Sequence, residues 1–153
     1  MPMYTVSTRE PLPPANREAL ATAITDTHCA LTGAPPIFVN VVFSHGIPLD
    51  PAVNVHLLAN VRKGRSEDTN RVLTGQMAER LWEILEVPGD RQKIVILEIP
   101  ARWVMEGGEV LPEPGEEANS KWGWQTPSTS PEPTVNKEQI ANSEQIAGER
   151  HAS

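Results

Sequence analysis

The stretch VNVHLLANVRKGRSEDTNRVLTGQMAERLWEILEVPGDRQKIVILEI, residues 53–99, decides the fold. It begins with an alternating strand pattern over residues 53–61, in which apolar side chains recur at every second position on one face. These side chains are Val53, Val55, Leu57, Ala59 and Val61. A helix follows, because Ser66 is a good N-cap and the acidic residues Glu67 and Asp68 favour the positive end of the helix dipole.

The helix is predicted to run to about Leu85, where Pro88-Gly89 ends it. Its apolar stripe consists of Leu73, Met77, Leu81, Ile84 and Leu85. The continuous apolar run at 93–99 is typical of a strand that is buried on both faces. Residues 53–99 are therefore predicted to form one strand–helix–strand unit, whose long crossover pairs its strands in parallel.

The first part of the chain repeats this order. Residues 4–8 alternate as a half-buried strand, and residues 14–32 have helical periodicity that ends at Gly33. The helical stripe contains Leu20, Ala23, Ile24, Thr27 and Leu31. The β-branched residues of 37–43 predict the next strand, and 44–51 reads as a loop.

Two such units side by side predict a fold that combines helices and strands, built as α/β units and classed as α/β (α+β). Duplicated β-α-β units would form one four-stranded mixed sheet with both helices on one face. The other face would be left bare, and a bare apolar sheet face favours oligomerisation.

The character of the chain changes after Pro112. Beyond it, acidic residues outnumber basic ones, and Pro, Ser, Thr, Gln and Asn dominate. We therefore predict a folded domain over 1–117 and a polar acidic tail over 118–153. Trp122 and Trp124 could anchor the start of this tail, and the rest of it is expected to be disordered or to recruit partners.

Bulk properties exclude several classes of function. The formal net charge of −7 argues against nucleic-acid binding, although it leaves open a local basic pocket for a small anion.

Cys29 is the only cysteine of the sequence, so no intrachain disulfide can form. No leader or membrane-spanning pattern is evident, and we expect a cytoplasmic protein with no membrane partner. The four histidines show no metal-ligand spacing, and no metal or cofactor is expected.

Pro2 is the first candidate for chemistry. Removal of Met1 would leave a secondary amine, and an α-amino group titrates close to neutrality, so it can take or give a proton. Many chains begin with Met-Pro by chance, so this pattern is informative only together with other candidate site residues.

Three further positions accompany it. Arg62 and Arg65 flank a glycine at a strand-to-helix junction, where two guanidinium groups could hold a carboxylate or form a solvated basic corner. His28 sits beside the apolar stripe of the first helix, which is also where a tolerated boundary residue would lie. Glu106 lies between apolar residues and Gly107-Gly108, as a partly desolvated general base or an ordinary surface glutamate.

Together these segments resemble the tautomerase superfamily, and most closely its cis-3-chloroacrylic acid dehalogenase branch. The resemblance covers about residues 2–117 in the same order. It rests on Pro2-Met3-Tyr4, on Ala23-Ile24-Thr25-Asp26-Thr27-His28 with Leu31-Thr32-Gly33, on Arg62-Lys63-Gly64-Arg65-Ser66, and on Pro100-Ala101 through Glu106, Gly108 and Leu111-Pro112.

The resemblance implies roles for these residues in a cofactor-independent enzyme, often a homotrimer. Pro2 would be the catalytic amine, and Arg62 and Arg65 would bind the carboxylate of a small substrate. His28 would help to bind or polarise the substrate, and Glu106 would activate water. The implied reactions are hydration or dehalogenation of acrylate-type acids and keto–enol tautomerisation.

One position departs from the branch. The family tyrosine on the last strand, which assists the water-activating glutamate, is Val95 here. This change weakens the case for efficient dehalogenation and leaves a hydratase or tautomerase. The alternative is a non-catalytic trimeric binding or scaffold protein with a partner-recruiting tail, and retention of Met1 would favour it, because the nitrogen of Pro2 would then be an amide.

Overall fold

The structure is a computed structural model that describes residues 2–113 and residue 116. The main sheet consists of β1 (Met3–Thr8), β2 (Asn40–His45), β3 (Val55–Arg62) and β4 (Gln92–Ile99). The helices are α1 (Pro14–Thr32) and α2 (Glu67–Leu85), and a small hairpin is formed by β5 (Met105–Glu106) and β6 (Glu109–Val110). Short 3-10 turns lie at Pro36–Phe38, Gly89–Arg91 and Ala101–Trp103.

The main sheet has the strand order β2-β1-β3-β4. Each β-α-β unit pairs its two strands in parallel, β1 with β2 and β3 with β4. The units join through the antiparallel pair β1 and β3. The predicted four-stranded mixed sheet is therefore confirmed, with the two helices packed against each other on one face.

The core lies between this face and the helices. Tyr4 and Val6 of β1 lie on it with alternate residues of β3, and the helices contribute their apolar stripes. The fully buried members are Tyr4, Val6, Val55, Leu57, Ala59, Val61, Leu20, Ile24, Leu73, Met77 and Leu81. Burial of this set supplies the main driving force for folding of the domain.

The predicted helix ends are confirmed. The hydroxyl of Ser66 accepts a hydrogen bond from the backbone N–H of Thr69, which satisfies one of the free donors at the start of α2. Gly33 ends α1 with a φ of 69°, a conformation that other residues rarely adopt. Both helices therefore span the predicted residues, although α2 is ended by Glu86 in the left-handed conformation, with a φ of 55°, before the chain reaches Pro88-Gly89.

Two strand boundaries were predicted wrongly. Ile37 and Phe38 lie in a 3-10 turn instead of a strand, because Pro35 and Pro36 accept the backbone hydrogen bonds that close the turn. β2 is shifted along the chain and continues to His45, beyond the predicted loop start. β3 begins at Val55 instead of Val53, and it includes Arg62.

The prediction that residues 93–99 are buried on both faces is wrong for the single chain. Within the residues that the structure describes, β4 lies at an edge of the sheet and pairs only with β3. Its residues are half-buried or exposed, and Leu97 is 49% exposed. Leu97 lies on the face without helices, where Val42 is also 47% exposed. An apolar run in the sequence indicates that a strand will be buried, but it does not indicate whether the same chain provides that burial.

Candidate active site

One end of the main sheet holds two of the residues singled out in the sequence, Pro2 and Arg62. Met3 pairs with Asn60, and one further step in the same antiparallel register brings Pro2 opposite Val61. Arg62 pairs with Ile99, so the end of β4 lies beside them. Pro2 is buried, and its carbonyl accepts a hydrogen bond of 3.1 Å from the N–H of Asn40. Strand pairing thus fixes the position of Pro2 from both sides.

His28 lies in the last part of α1 and reaches the start of β1. The Oη of Tyr4 and the Nδ1 of His28 are 2.6 Å apart, and both side chains are fully buried. Their rings meet edge to face at 74°, with centroids 5.6 Å apart. The Nε2 of His28 is also buried, and it has no hydrogen-bond partner in the described part of the chain. Because a buried polar atom without a partner is costly, this nitrogen is a candidate to bind a ligand atom.

The surroundings keep this pair uncharged. Burial is the main effect that lowers the pKa of His28 to about 4, and the positive charge of Arg65 adds to it. Burial also raises the pKa of Tyr4, and the charge of Arg65 offsets only part of this effect. At neutral pH the site therefore presents a neutral imidazole and a neutral phenol next to a guanidinium.

The depressed pKa of His28 predicts a pH-dependent stability. In the unfolded chain His28 takes up a proton near its ordinary pKa of 6.5, whereas in the folded chain its pKa is about 4. Stability is therefore lost as the pH falls between these values, by up to about 3 kcal/mol in the free energy of unfolding. Urea unfolding across this range measures the loss.

The matched control for this prediction is His28→Gln, which removes the titrating group. Carboxylates also titrate in part of the same range, so the quantity of interest is the difference between the two stability curves. We expect the curves to converge as the pH falls. Parallel curves would show that His28 titrates alike in the folded and unfolded states.

The two arginines lie at the end of β3 and in the turn that follows it. Gly64, with a φ of 107°, turns the chain between β3 and α2. Arg65 then folds back, and its Nη1 donates to the carbonyl of Arg62 at 3.0 Å. Burial lowers the pKa of Arg65, which indicates a partly desolvated guanidinium. Arg62 and Arg65 line a cavity of about 210 Å³ together with Leu31, Thr32, Lys63, Gly64 and Thr69.

Glu106 lies on the small hairpin that follows β4. Gly107 and Gly108 form its turn with φ values of 58° and 84°. The N–H of buried Leu111 donates to the carbonyl of Val104, which closes the base of the hairpin. The Nη1 of Arg62 donates to the carbonyl of Pro112 at 3.2 Å and links the segment after the hairpin to β3. Half-buried Glu106 is thereby tied to the arginine side of the site. Its position next to Pro2 remains a prediction.

Sequence reasoning used Tyr4 as a strand residue and as part of the segment that carries the resemblance, but it gave Tyr4 no role in the site. It is the only tyrosine of the chain, and it occupies the same strand face as Pro2. A signal was available, because a buried tyrosine usually needs a partner for its hydroxyl. A histidine next to the apolar stripe of a neighbouring helix is a natural candidate for that partner.

Comparisons with known proteins agree with this arrangement. The sequence model of a family described as putative oxalocrotonate tautomerase enzyme matches residues 1–126. No curated protein matches the chain. Trp122 and Trp124 fall within the matched range but outside the residues that the structure describes. The boundary at 117 and the character of 118–153 therefore stay predictions.

Solved structures give the same fold. The chain is similar to N1, a member of the cis-3-chloroacrylic acid dehalogenase family, with 28% identity and a TM-score of 0.68, over 76% of this chain and 88% of N1. A fused 4-OT solved as an asymmetric trimer has 21% identity and a TM-score of 0.65, over 71% and 94% of the two chains. FG41 malonate semialdehyde decarboxylase inhibited by 3-bromopropiolate has 18% identity and a TM-score of 0.57, over 69% and 88%. The last two show the fold alone.

Within residues 2–113 and 116, no cluster of three or more His, Cys, Asp and Glu side chains could hold a metal ion. No helix in that part of the chain is long and apolar enough to cross a membrane.

Proposed function

The chain belongs to the family of putative oxalocrotonate tautomerases, and on that premise we propose that it is an acid–base enzyme whose catalytic group is Pro2, freed by removal of Met1. Its substrates would be small unsaturated or enolic carboxylates. The observation that supports the proposal is a buried Pro2 beside the end of β3, two residues before Tyr4 of the neutral Tyr4–His28 pair. The cavity that Arg62 and Arg65 line lies at the turn that follows β3. A proton-transfer group, a neutral donor and an anion site are the parts that such chemistry needs.

Keto–enol tautomerisation is the reaction that the electrostatics favour. Pro2 is buried, and the charge of Arg65 acts on its near neighbours Tyr4 and His28. Burial and a nearby cation both disfavour a charged amine. A neutral Pro2 can take the hydroxyl proton of an enol and return a proton to the carbon, which yields the ketone.

Hydration is the second reaction of the same site. Glu106 would remove a proton from water, and a cationic Pro2 would protonate the carbon next to the carboxylate. A 3-halo product would then lose halide and become an aldehyde. The similarity to N1 supports this reaction. Val95 argues against high efficiency, because it lies on β4 where the branch has the hydroxyl of a tyrosine.

Arg62 and Arg65 are proposed to bind the substrate carboxylate in the cavity that they line. A guanidinium group matches a carboxylate with two parallel hydrogen bonds, and partial desolvation strengthens them. His28 is proposed to contact a substrate oxygen through its Nε2.

The working form is proposed to be a homotrimer. The face of the sheet without helices carries half-exposed Val42 and Leu97, and further apolar side chains lie exposed near the hairpin, namely Trp103, Met105 and Val110. An exposed apolar surface of this kind favours association. The fused 4-OT of the same fold is an asymmetric trimer, which supports this proposal.

A substrate panel tests the proposed function. Purified protein, first checked by intact mass for loss of Met1, is given phenylenolpyruvate and, separately, cis-3-chloroacrylate. We expect ketonisation of the first at a rate well above the spontaneous one, and slower release of aldehyde and halide from the second. Loss of Met1 without turnover of either acid would contradict the proposal. Retained Met1 without turnover would instead favour a non-catalytic binding protein.

A further inference from the structure

The positions of the polar hydrogens in the pair of Tyr4 and His28 can be inferred from the partners that each group has. The two side chains share one hydrogen bond of 2.6 Å in a fully buried environment. No other partner of either side chain is found in the described part of the chain, and the Nε2 of His28 has none. Only one of the two groups can donate in their shared bond, and which one it is fixes the tautomer of the imidazole.

Two arrangements are possible, and they differ in cost. If Tyr4 donates to Nδ1, the proton of the neutral imidazole is on Nε2, and this N–H is the single unsatisfied group. If Nδ1–H donates to Tyr4, the phenolic hydrogen and the lone pair of Nε2 both lack partners. Each buried unsatisfied group costs about 1–3 kcal/mol, so the first arrangement is favoured.

We propose that Tyr4 is a positioning residue that holds His28 as the Nε2–H tautomer, so that a buried, uncharged N–H donor is offered to an oxygen of the bound carboxylate substrate. This inference rests on the proposed function for its last step, whereas the tautomer itself is independent of turnover. The edge-to-face packing of the rings at 74° holds the imidazole in one orientation.

The arrangement divides the work between two groups of the site. Arg65 provides the positive charge that attracts a carboxylate, and the same charge disfavours protonation of His28. A neutral donor in a water-excluded site stabilises negative charge on an oxygen without giving up its proton. His28 would therefore bind or polarise the substrate, while proton transfer remains with Pro2.

The tautomer can be measured directly in the ligand-free protein. With ¹⁵N-labelled histidine, the nitrogen shifts of His28 at pH 7 should show a protonated Nε2 and an unprotonated Nδ1. The reverse assignment, or a charged ring, would overturn the proposal. This result would stand even if Pro2 proved inert, so the failure of the proposed function and the failure of this inference are distinguishable.

A double-mutant cycle tests whether Tyr4 acts through His28. Tyr4→Phe should lower kcat/KM for phenylenolpyruvate by about tenfold, the effect of one hydrogen bond. In a His28→Ala background the same substitution should cause no further loss. Equal losses in both backgrounds would assign Tyr4 a general packing role and overturn the proposal.

The matched control is Ser7→Ala. It removes a buried hydroxyl of the same strand, whose hydrogen bond to Ser44 is 2.8 Å long and lies on the opposite face. The control should leave kcat/KM and the nitrogen shifts of His28 unchanged. If Tyr4→Phe fails to fold, the tautomer of the wild-type protein decides the proposal by itself.

Discussion

Replacement of Pro2 by alanine is expected to lower kcat/KM for phenylenolpyruvate by about 10²–10⁴-fold, the usual contribution of a positioned acid–base group. Alanine still permits removal of Met1, but it leaves a primary amine without the ring that strand pairing fixes between β3 and β2. The loss should fall on kcat more than on KM, because the carboxylate site stays intact. Steady-state kinetics with phenylenolpyruvate measures it.

The matched control is Pro11→Ala, which replaces an exposed proline just beyond β1. It should retain wild-type turnover and wild-type circular dichroism. A second control keeps Pro2 but blocks its nitrogen with an N-terminal extension, and it should be as inactive as Pro2→Ala. Wild-type activity in either blocked or substituted protein would refute the role of Pro2.

Arg65→Ala is expected to raise KM by about 10- to 100-fold with a smaller change in kcat, since a charge-assisted hydrogen bond contributes about 1.5–3 kcal/mol. The KM of Arg65→Lys should lie between those of Arg65→Ala and the wild type, because an ammonium group keeps the charge but cannot form the two parallel hydrogen bonds of a guanidinium. A fall in kcat alone, with KM unchanged, would contradict a role in carboxylate binding.

The same variant has a second expected effect. Arg65→Ala removes a positive charge that contributes to the low pKa of His28, so this pKa should rise toward its ordinary value. A titration followed by NMR measures the shift. Arg71→Ala is the matched control, because Arg71 lies on the exposed surface of α2 in a solvated ion pair with Asp68. It should change neither KM nor the titration of His28.

The sequence by itself determined the elements and their order. The alternation in residues 55–61 and the helical stripe with Leu73, Met77 and Leu81 follow from one buried face, and local periodicity records which face that is. Ser66 and Gly33 mark helix ends through contacts within a few residues. Such local signals need no tertiary information, which is why the fold was predictable.

The resemblance joined Pro2, His28, Arg62, Arg65 and Glu106 into one expected site. Strand register then brought Pro2 opposite Val61 and next to Arg62, which is a consequence of pairing between segments far apart in the chain. The sequence also marked 93–99 as apolar, but the edge position of β4 became visible only in the sheet.

Only the tertiary structure decided the pairing of Tyr4 with His28. The two residues are far apart in sequence, and neither the period of the strand nor that of the helix specifies which side chains meet across the interface. Their contact depends on the register of β1 and on how α1 lies over it. The burial that lowers the pKa of His28 has the same origin, because desolvation is a property of the packed core and not of any local motif.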